Sequence, residues 1–263
     1  MRRLSVPLTA LAAAAGLLAG CGGSTGSQAT SKPANASASV TGTVNVFAAA
    51  SLQKAFTKLG AQFEAAHPGT KVVFNFGPSS GLAQQIGQGA PADVFASAST
   101  KNMDQVVSGG EAAKPTNFVA NRMQIAVPPK NPAGITTVAD LAEKGVKVAL
   151  CQAQVPCGAT ALKVFDKAKV TVTPVTQEVD VKATLSKVSL GEVDAGVVYV
   201  TDVLSAGDKV KGIAIPDDVN ASTIYPIATL TGSKNAATAQ AFVDYVLSPD
   251  GLAVLTAAGF AKP

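Results

Sequence analysis

Between residues 44 and 98 three short apolar runs are separated by two segments of helical spacing, and few folds accommodate that grammar. The runs are Val44–Phe47, Val72–Phe76 and Ala92–Ala98. After the first, Leu52, Ala55, Phe56, Leu59 and Phe63 recur at the spacing of one helix face. After the second, Leu82, Ala83 and Ile86 do the same until Gly87-Gln88-Gly89-Ala90-Pro91 breaks the pattern. Strands that alternate with helices predict an α/β fold, with a mainly parallel sheet and right-handed crossovers. In such sheets ligands collect beyond the carboxyl ends of the strands.

Both junctions deliver a serine to that edge. Ser51 follows Ala48-Ala49-Ala50 and stands where an N-cap is expected. Ser79 follows Gly77-Pro78 at the opening of the second helix. The first turn of a helix has unpaired N–H groups and a positive dipole end, so each junction can hold an anion. One such junction reads as an ordinary capped helix. Two at one edge are harder to dismiss than one.

The same grammar continues. Strands are expected at Met123–Val127, Val146–Leu150, Ala195–Val200 and Ile213–Ile215. Helices are expected at Val138–Ala142, at Ala159–Lys169, and from Val181 through Leu185 and Val188. Tyr225–Leu230 reads as extended, followed by helices Ala236–Leu247 and Pro249–Ala258. The chain is 47% hydrophobic and 14% charged, which fits a globular protein. Arg2 and Arg3 supply two of its four net positive charges, and the remainder is too mild to suggest nucleic acid.

Residues 1–20 read as an export signal. Arg2 and Arg3 precede an apolar stretch, Leu8–Leu18, too short to span a membrane. Leu18-Ala19-Gly20-Cys21 resembles the bacterial lipoprotein signal, which implies cleavage before Cys21 and its acylation. That lipid would anchor the protein to the outer face of the cell membrane. Residues 21–42 are small and polar, without periodicity, and read as a flexible tether. Cys151 and Cys157 then remain as an even pair in an exported protein, where a disulfide persists. With one histidine in the chain, a zinc site at that pair is not expected. His67 falls at a helix end before Pro68-Gly69, so a Ser-His-Asp or Cys-His arrangement has no obvious base.

Several blocks resemble the molybdate-binding proteins that serve ABC importers. They are Val46-Phe47-Ala48-Ala49-Ala50-Ser51-Leu52, Ser79-Ser80-Gly81-Leu82-Ala83-Gln84-Gln85-Ile86 and Gly89-Ala90-Pro91-Ala92-Asp93-Val94-Phe95. Val155-Pro156-Cys157-Gly158 and Gly196-Val197-Val198-Tyr199 are similar to two later blocks of that family. The resemblance runs from Thr43 to the end of the chain, and the Gly-Ala-Pro-Ala-Asp-Val-Phe block is its most specific part. It implies the type II periplasmic binding protein fold, with two α/β lobes and a hinge of crossing strands. Residues 43–121 with 225–263 would form one lobe and 122–224 the other.

The resemblance also implies an anion site in the cleft. Ser51 and Ser79 would give hydroxyls with N–H groups nearby, Cys157 and Val181 backbone N–H groups, and Tyr199 its phenol. No protein atom would ligate the metal, because molybdate would be held through its oxygens. Several neutral donors satisfy a tetrahedral dianion without a buried counter-ion. The cysteine pair is a departure from what the resemblance implies, although a disulfide leaves the Cys157 N–H free. The expected function is capture of molybdate, and of tungstate, for delivery to an ABC transporter permease. The protein is expected to be a monomer with no cofactor and no catalytic residues. Two alternatives stand beside this: a receptor for sulfate or another tetrahedral oxyanion, and an enzyme on a similar two-lobe fold.

Overall fold

The computed structural model describes residues 40–263. The expected signal segment 1–20, Cys21 and nearly all of the tether lie outside the described residues. Among the described residues no helix is long and apolar enough to cross a membrane.

Strand β1 (Gly42–Ala49) lies one strand in from the edge of the first sheet. It runs parallel to β2 (Thr70–Gly77) on one side and to β3 (Val94–Ala96) on the other. Val44, Val46, Ala48 and Ala49 of β1 are all buried, as expected for a strand covered on both faces. A 3₁₀ turn, Ala50–Leu52, leads from β1 into α1 (Gln53–Ala66). Helix α2 (Ser79–Gly87) follows β2, and α3 (Thr100–Ser108) follows β3.

Strand β4 (Thr116–Val127) belongs to two sets of partners. Residues 116–122 pair antiparallel with β9 (Ser222–Thr229), which itself pairs antiparallel with β3. From Met123 onward β4 pairs instead with β7 (Ala195–Tyr199) and β8 (Lys211–Ala214). Beyond it, β5 (Val148–Cys151) lies parallel to both β7 and β6 (Thr176–Glu178). Helices α4 (Pro156–Ala168), α5 (Val181–Ser189) and α6 (Val200–Ala206) belong to this part. The chain closes with α7 (Ala236–Leu247) and α8 (Pro249–Ala257), which cover the first part.

The apolar side chains segregate in the same way. One core draws on residues 123–221. Two others draw on residues 44–119 and 225–260, with Phe56, Phe63, Phe74 and Phe242 interlocked edge to face. Strands β4 and β9 run between the two parts.

Three sequence expectations need correction. The strand expected at Met123–Val127 starts seven residues earlier, because Asn117, Asn121 and Arg122 interrupt its apolar pattern while their backbone pairs with β9. Val200 does not extend the strand before it. It opens α6, where the Asp202 carboxylate accepts from the Tyr199 backbone N–H and fixes the helix start. The segment Val138–Ala142 makes only a 3₁₀ turn, Ala139–Ala142.

Candidate functional site

The carboxyl ends of β1, β2, β5 and β7 meet at one small cavity of about 20 Å³. Its walls bring together Ser51, Ser79, Cys157, Val181 and Tyr199, the five positions singled out above. Ser51 and Ser79 come from the part built on β1, and the other three from the part built on β5 and β7.

Ser51 is not an N-cap. It lies inside the 3₁₀ turn, and neither that turn nor α1 takes a side-chain cap. Its hydroxyl shares a 2.8 Å hydrogen bond with the Tyr225 hydroxyl, both groups buried. The extra tight turn before α1 displaces Ser51 from the cap position. Ser79 is the first residue of α2, behind Pro78. Its Oγ accepts from the Ala98 N–H at 2.9 Å, so the Ser79 proton is free to be donated.

Cys157 is the second residue of α4. Pro156 at the first position has no N–H, so Cys157 carries the helix's first donor. A disulfide joins Cys157 to Cys151 at the end of β5, with Cα atoms 5.8 Å apart. Gly158 makes this tight approach possible: a Cβ there would stand 2.0 Å from the Gln152 carbonyl oxygen. Val181 opens α5 with its side chain in the core. The carboxylate of Asp180 accepts from Ala183 N–H at 2.9 Å and caps the helix, leaving the Val181 N–H uncovered by that carboxylate.

Where α3, α5 and α8 are capped by Ser99, Asp180 and Ser248, the starts of the 3₁₀ turn, α2 and α4 have no side-chain cap. These uncapped starts face the cavity. Their first-turn N–H groups need an acceptor from elsewhere.

Tyr199 closes the cavity from the end of β7. It is 1% exposed, and its hydroxyl has no hydrogen-bond partner among the described residues. Burial pushes its pKa well above the ordinary phenol range, so it stays a proton donor. Two residues that sequence reasoning missed steady it. Asp202, fully buried, accepts from the Tyr199 backbone N–H at 3.2 Å, and Lys182 Nζ lies 2.9 Å from its other oxygen. Burial raises the Asp202 pKa and Lys182 opposes that rise. The pair ties the start of α5 to the start of α6. Its one sequence signal is the three-residue spacing from Tyr199 to Asp202 in the manner of a capping box.

A Ser-x-x-Lys and a Gly-x-Ser-x-Gly elbow, whose expected lack speaks against the enzyme alternative, are in fact both present. Ser51-Leu52-Gln53-Lys54 has the Ser-x-x-Lys spacing, and Gly77-Pro78-Ser79-Ser80-Gly81 has that of a nucleophile elbow. Among the described residues neither serine is hydrogen-bonded to a base. Lys54 reaches toward the Ser205 carbonyl oxygen at 3.5 Å, while Ser51 is bonded to Tyr225. Ser79 is bonded to a backbone N–H. His67 caps the far end of α1, with its ring 4.5 Å from that of Phe63. Among the described residues no cluster of His, Cys, Asp and Glu could hold a metal ion.

A family model described as a bacterial extracellular solute-binding protein matches residues 44–261. The chain is 42% identical over 261 residues to the molybdate-binding protein ModA of Mycobacterium tuberculosis, covering 99% of this chain and 98% of that one. Among solved structures, the periplasmic molybdate-binding protein of Azotobacter vinelandii superposes with a TM-score of 0.75 at 21% identity, covering 84% of this chain and 99% of that one. The sulfate-binding protein SubI of M. tuberculosis superposes with a TM-score of 0.74 at 16% identity, covering 84% and 86%. At these identities the two structures show a shared type II periplasmic binding fold, and they do not separate one oxyanion from another.

Proposed function

This chain belongs to the bacterial extracellular solute-binding protein family, among its molybdate-binding members, and from that premise we propose how its cavity captures molybdate for an ABC importer. The observation that carries the reading is the convergence of uncapped helix starts and one unpartnered buried phenol on a single cavity. Ser51, Ser79 and Tyr199 donate hydroxyl protons, and Cys157 and Val181 donate backbone N–H groups. The helix starts add the positive ends of their dipoles. A tetrahedral dianion has lone pairs enough for all of these. The hydrogen bonds are charge-assisted, so affinity arises without an opposed lysine or arginine.

The site draws donors from residues on both sides of the β4–β9 crossing. We read residues 43–121 with 225–263 as one lobe, 122–224 as the other, and the crossing strands as the hinge between them. An anion that bonds to both lobes favours the closed arrangement by its differential contacts. Tungstate carries the same donor-accepting surface and is proposed as a second ligand. Anchoring through a lipid on Cys21, and action as a monomer, complete the proposal.

Calorimetric titration of the protein with molybdate, tungstate, sulfate and phosphate tests the reading. Saturable one-to-one binding of molybdate, lost in a Ser51→Ala/Ser79→Ala/Tyr199→Phe triple variant, is the expected result. Sulfate binding as tight as molybdate would move the assignment to the broader oxyanion class. Unchanged affinity in the triple variant would place the anion elsewhere.

A further inference from the structure

Tyr225 is buried at the cavity's edge without lining it. It lies on β9, 0% exposed, and its hydroxyl bonds to Ser51 Oγ at 2.8 Å. Its ring packs edge-on against Tyr199, with centroids 6.3 Å apart, and against Phe260 at 5.4 Å. The nearby amide of Asn121 is already engaged, its Nδ2 with Thr201 Oγ1 and its Oδ1 with the Arg122 N–H. Ser51 Oγ, at 2.8 Å, is the acceptor in hydrogen-bond geometry for the Tyr225 proton.

We propose that Tyr225 is a specificity-determining positioning residue, which donates to Ser51 Oγ and so fixes Ser51 as a donor toward the anion. This rests on the reading of Ser51 as an anion ligand.

The pair of hydroxyls has two orientations. In one, Tyr225 donates to Ser51 and Ser51 donates into the cavity. In the other, Ser51 donates to Tyr225, and the Tyr225 proton has no other acceptor in hydrogen-bond geometry among the described residues, which is the costly outcome for a polar group. The first orientation prevails, and each bond in the chain polarises the next. Burial holds the Tyr225 phenol above its ordinary pKa, so the proton stays in place. An oxyanion without protons profits from this orientation. An anion that keeps a proton, such as hydrogen phosphate, profits from the opposite one, in which Ser51 turns its oxygen to the ligand. Tyr225 thus penalises protonated anions without touching them.

The test uses four forms of the purified protein: wild type, Ser51→Ala, Tyr225→Phe and the double variant. Each is titrated with molybdate and with hydrogen phosphate or hydrogen arsenate near neutral pH. Tyr225→Phe keeps the ring and removes the proton. It is expected to weaken molybdate binding by about five- to ten-fold and leave the protonated anions unweakened, so selectivity falls by a similar factor. The double variant should bind molybdate within about two-fold of Ser51→Ala, because Tyr225 acts through Ser51. Unchanged molybdate affinity and selectivity in Tyr225→Phe, with Ser51→Ala weakened, would overturn the proposal while sparing the site. No effect of Ser51→Ala would overturn the site reading itself. Should Tyr225→Phe fail to fold, 3-fluorotyrosine at position 225 carries the test. As a stronger donor of nearly the same shape, it should tighten molybdate binding, and an unchanged or weaker molybdate affinity would refute the proposal.

Discussion

A buried phenol whose hydroxyl finds its partner only in the anion costs the protein about 1–3 kcal/mol when that partner is missing. Tyr199→Phe should therefore raise the ligand-free unfolding midpoint in denaturant while lowering molybdate affinity by about ten- to a hundred-fold. A variant that loses affinity and stability together would mean that the hydroxyl has a partner in the free protein. Ser79→Ala should behave in the opposite sense on stability. It strips the acceptor from the Ala98 N–H, so both quantities should fall, stability by about 1–3 kcal/mol. Neither change should abolish binding, because the backbone donors survive. At this scale the sequence was informative about Ser51 and Ser79, which stand at visible strand ends. It was silent about Tyr225, which reaches Ser51 across 174 residues. Val181 and Tyr199 read as ordinary core positions unless a resemblance singles them out, since one offers only an N–H and the other ends an apolar strand.

The start of α4 is the element where chain geometry and binding are most tightly joined. Gly158→Ala would drive a Cβ into the Gln152 carbonyl oxygen, so the loop from Cys151 must move. It should weaken molybdate binding more than Cys151→Ser/Cys157→Ser does. Removing that disulfide should cost roughly 2 kcal/mol of stability, the chain-entropy value for so short a loop, yet leave the Cys157 N–H in place. Calorimetry and denaturant unfolding of both variants would rank them. The 3₁₀ turn Ala139–Ala142 gives a pH test. Asp140 accepts from the Thr136 and Thr137 N–H groups and the Thr136 hydroxyl, which lowers its pKa to about 2. A carboxyl depressed in the folded state contributes stability above its unfolded pKa, and that contribution fades as the pH falls toward about 2. Asp140→Asn should flatten the acid limb of the stability curve between about pH 4 and 2. Helices with a clear apolar face, such as α1 and α7, were legible within a residue or two. The first half of β4 was not, because its order comes from pairing with β9, some hundred residues away.

For the molecule as a whole, the donors predict what is refused. Phosphate near neutral pH keeps a proton that needs an acceptor, and the carboxylate of Asp180 is turned to its own helix. Molybdate and tungstate should bind, and phosphate should fail to compete even in large excess. Phosphate binding comparable to molybdate, lost in Asp180→Asn, would show that this carboxylate turns inward. The α/β class followed from the alternation of strands and helices alone. The interleaving of residues 44–119 with 225–260 in one set of cores did not, since no local pattern records that the chain returns. The proposed donor set also governs unloading. Hydroxyls and backbone amides do not change charge between about pH 5 and 9, so titration of the donors themselves does not expel the cargo over that range. No proton taken up or released by these five donors opens the grip. Discharge is then a mechanical act, in which the importer pulls apart the strand ends that hold the anion and the tightness of capture sets the work it must do.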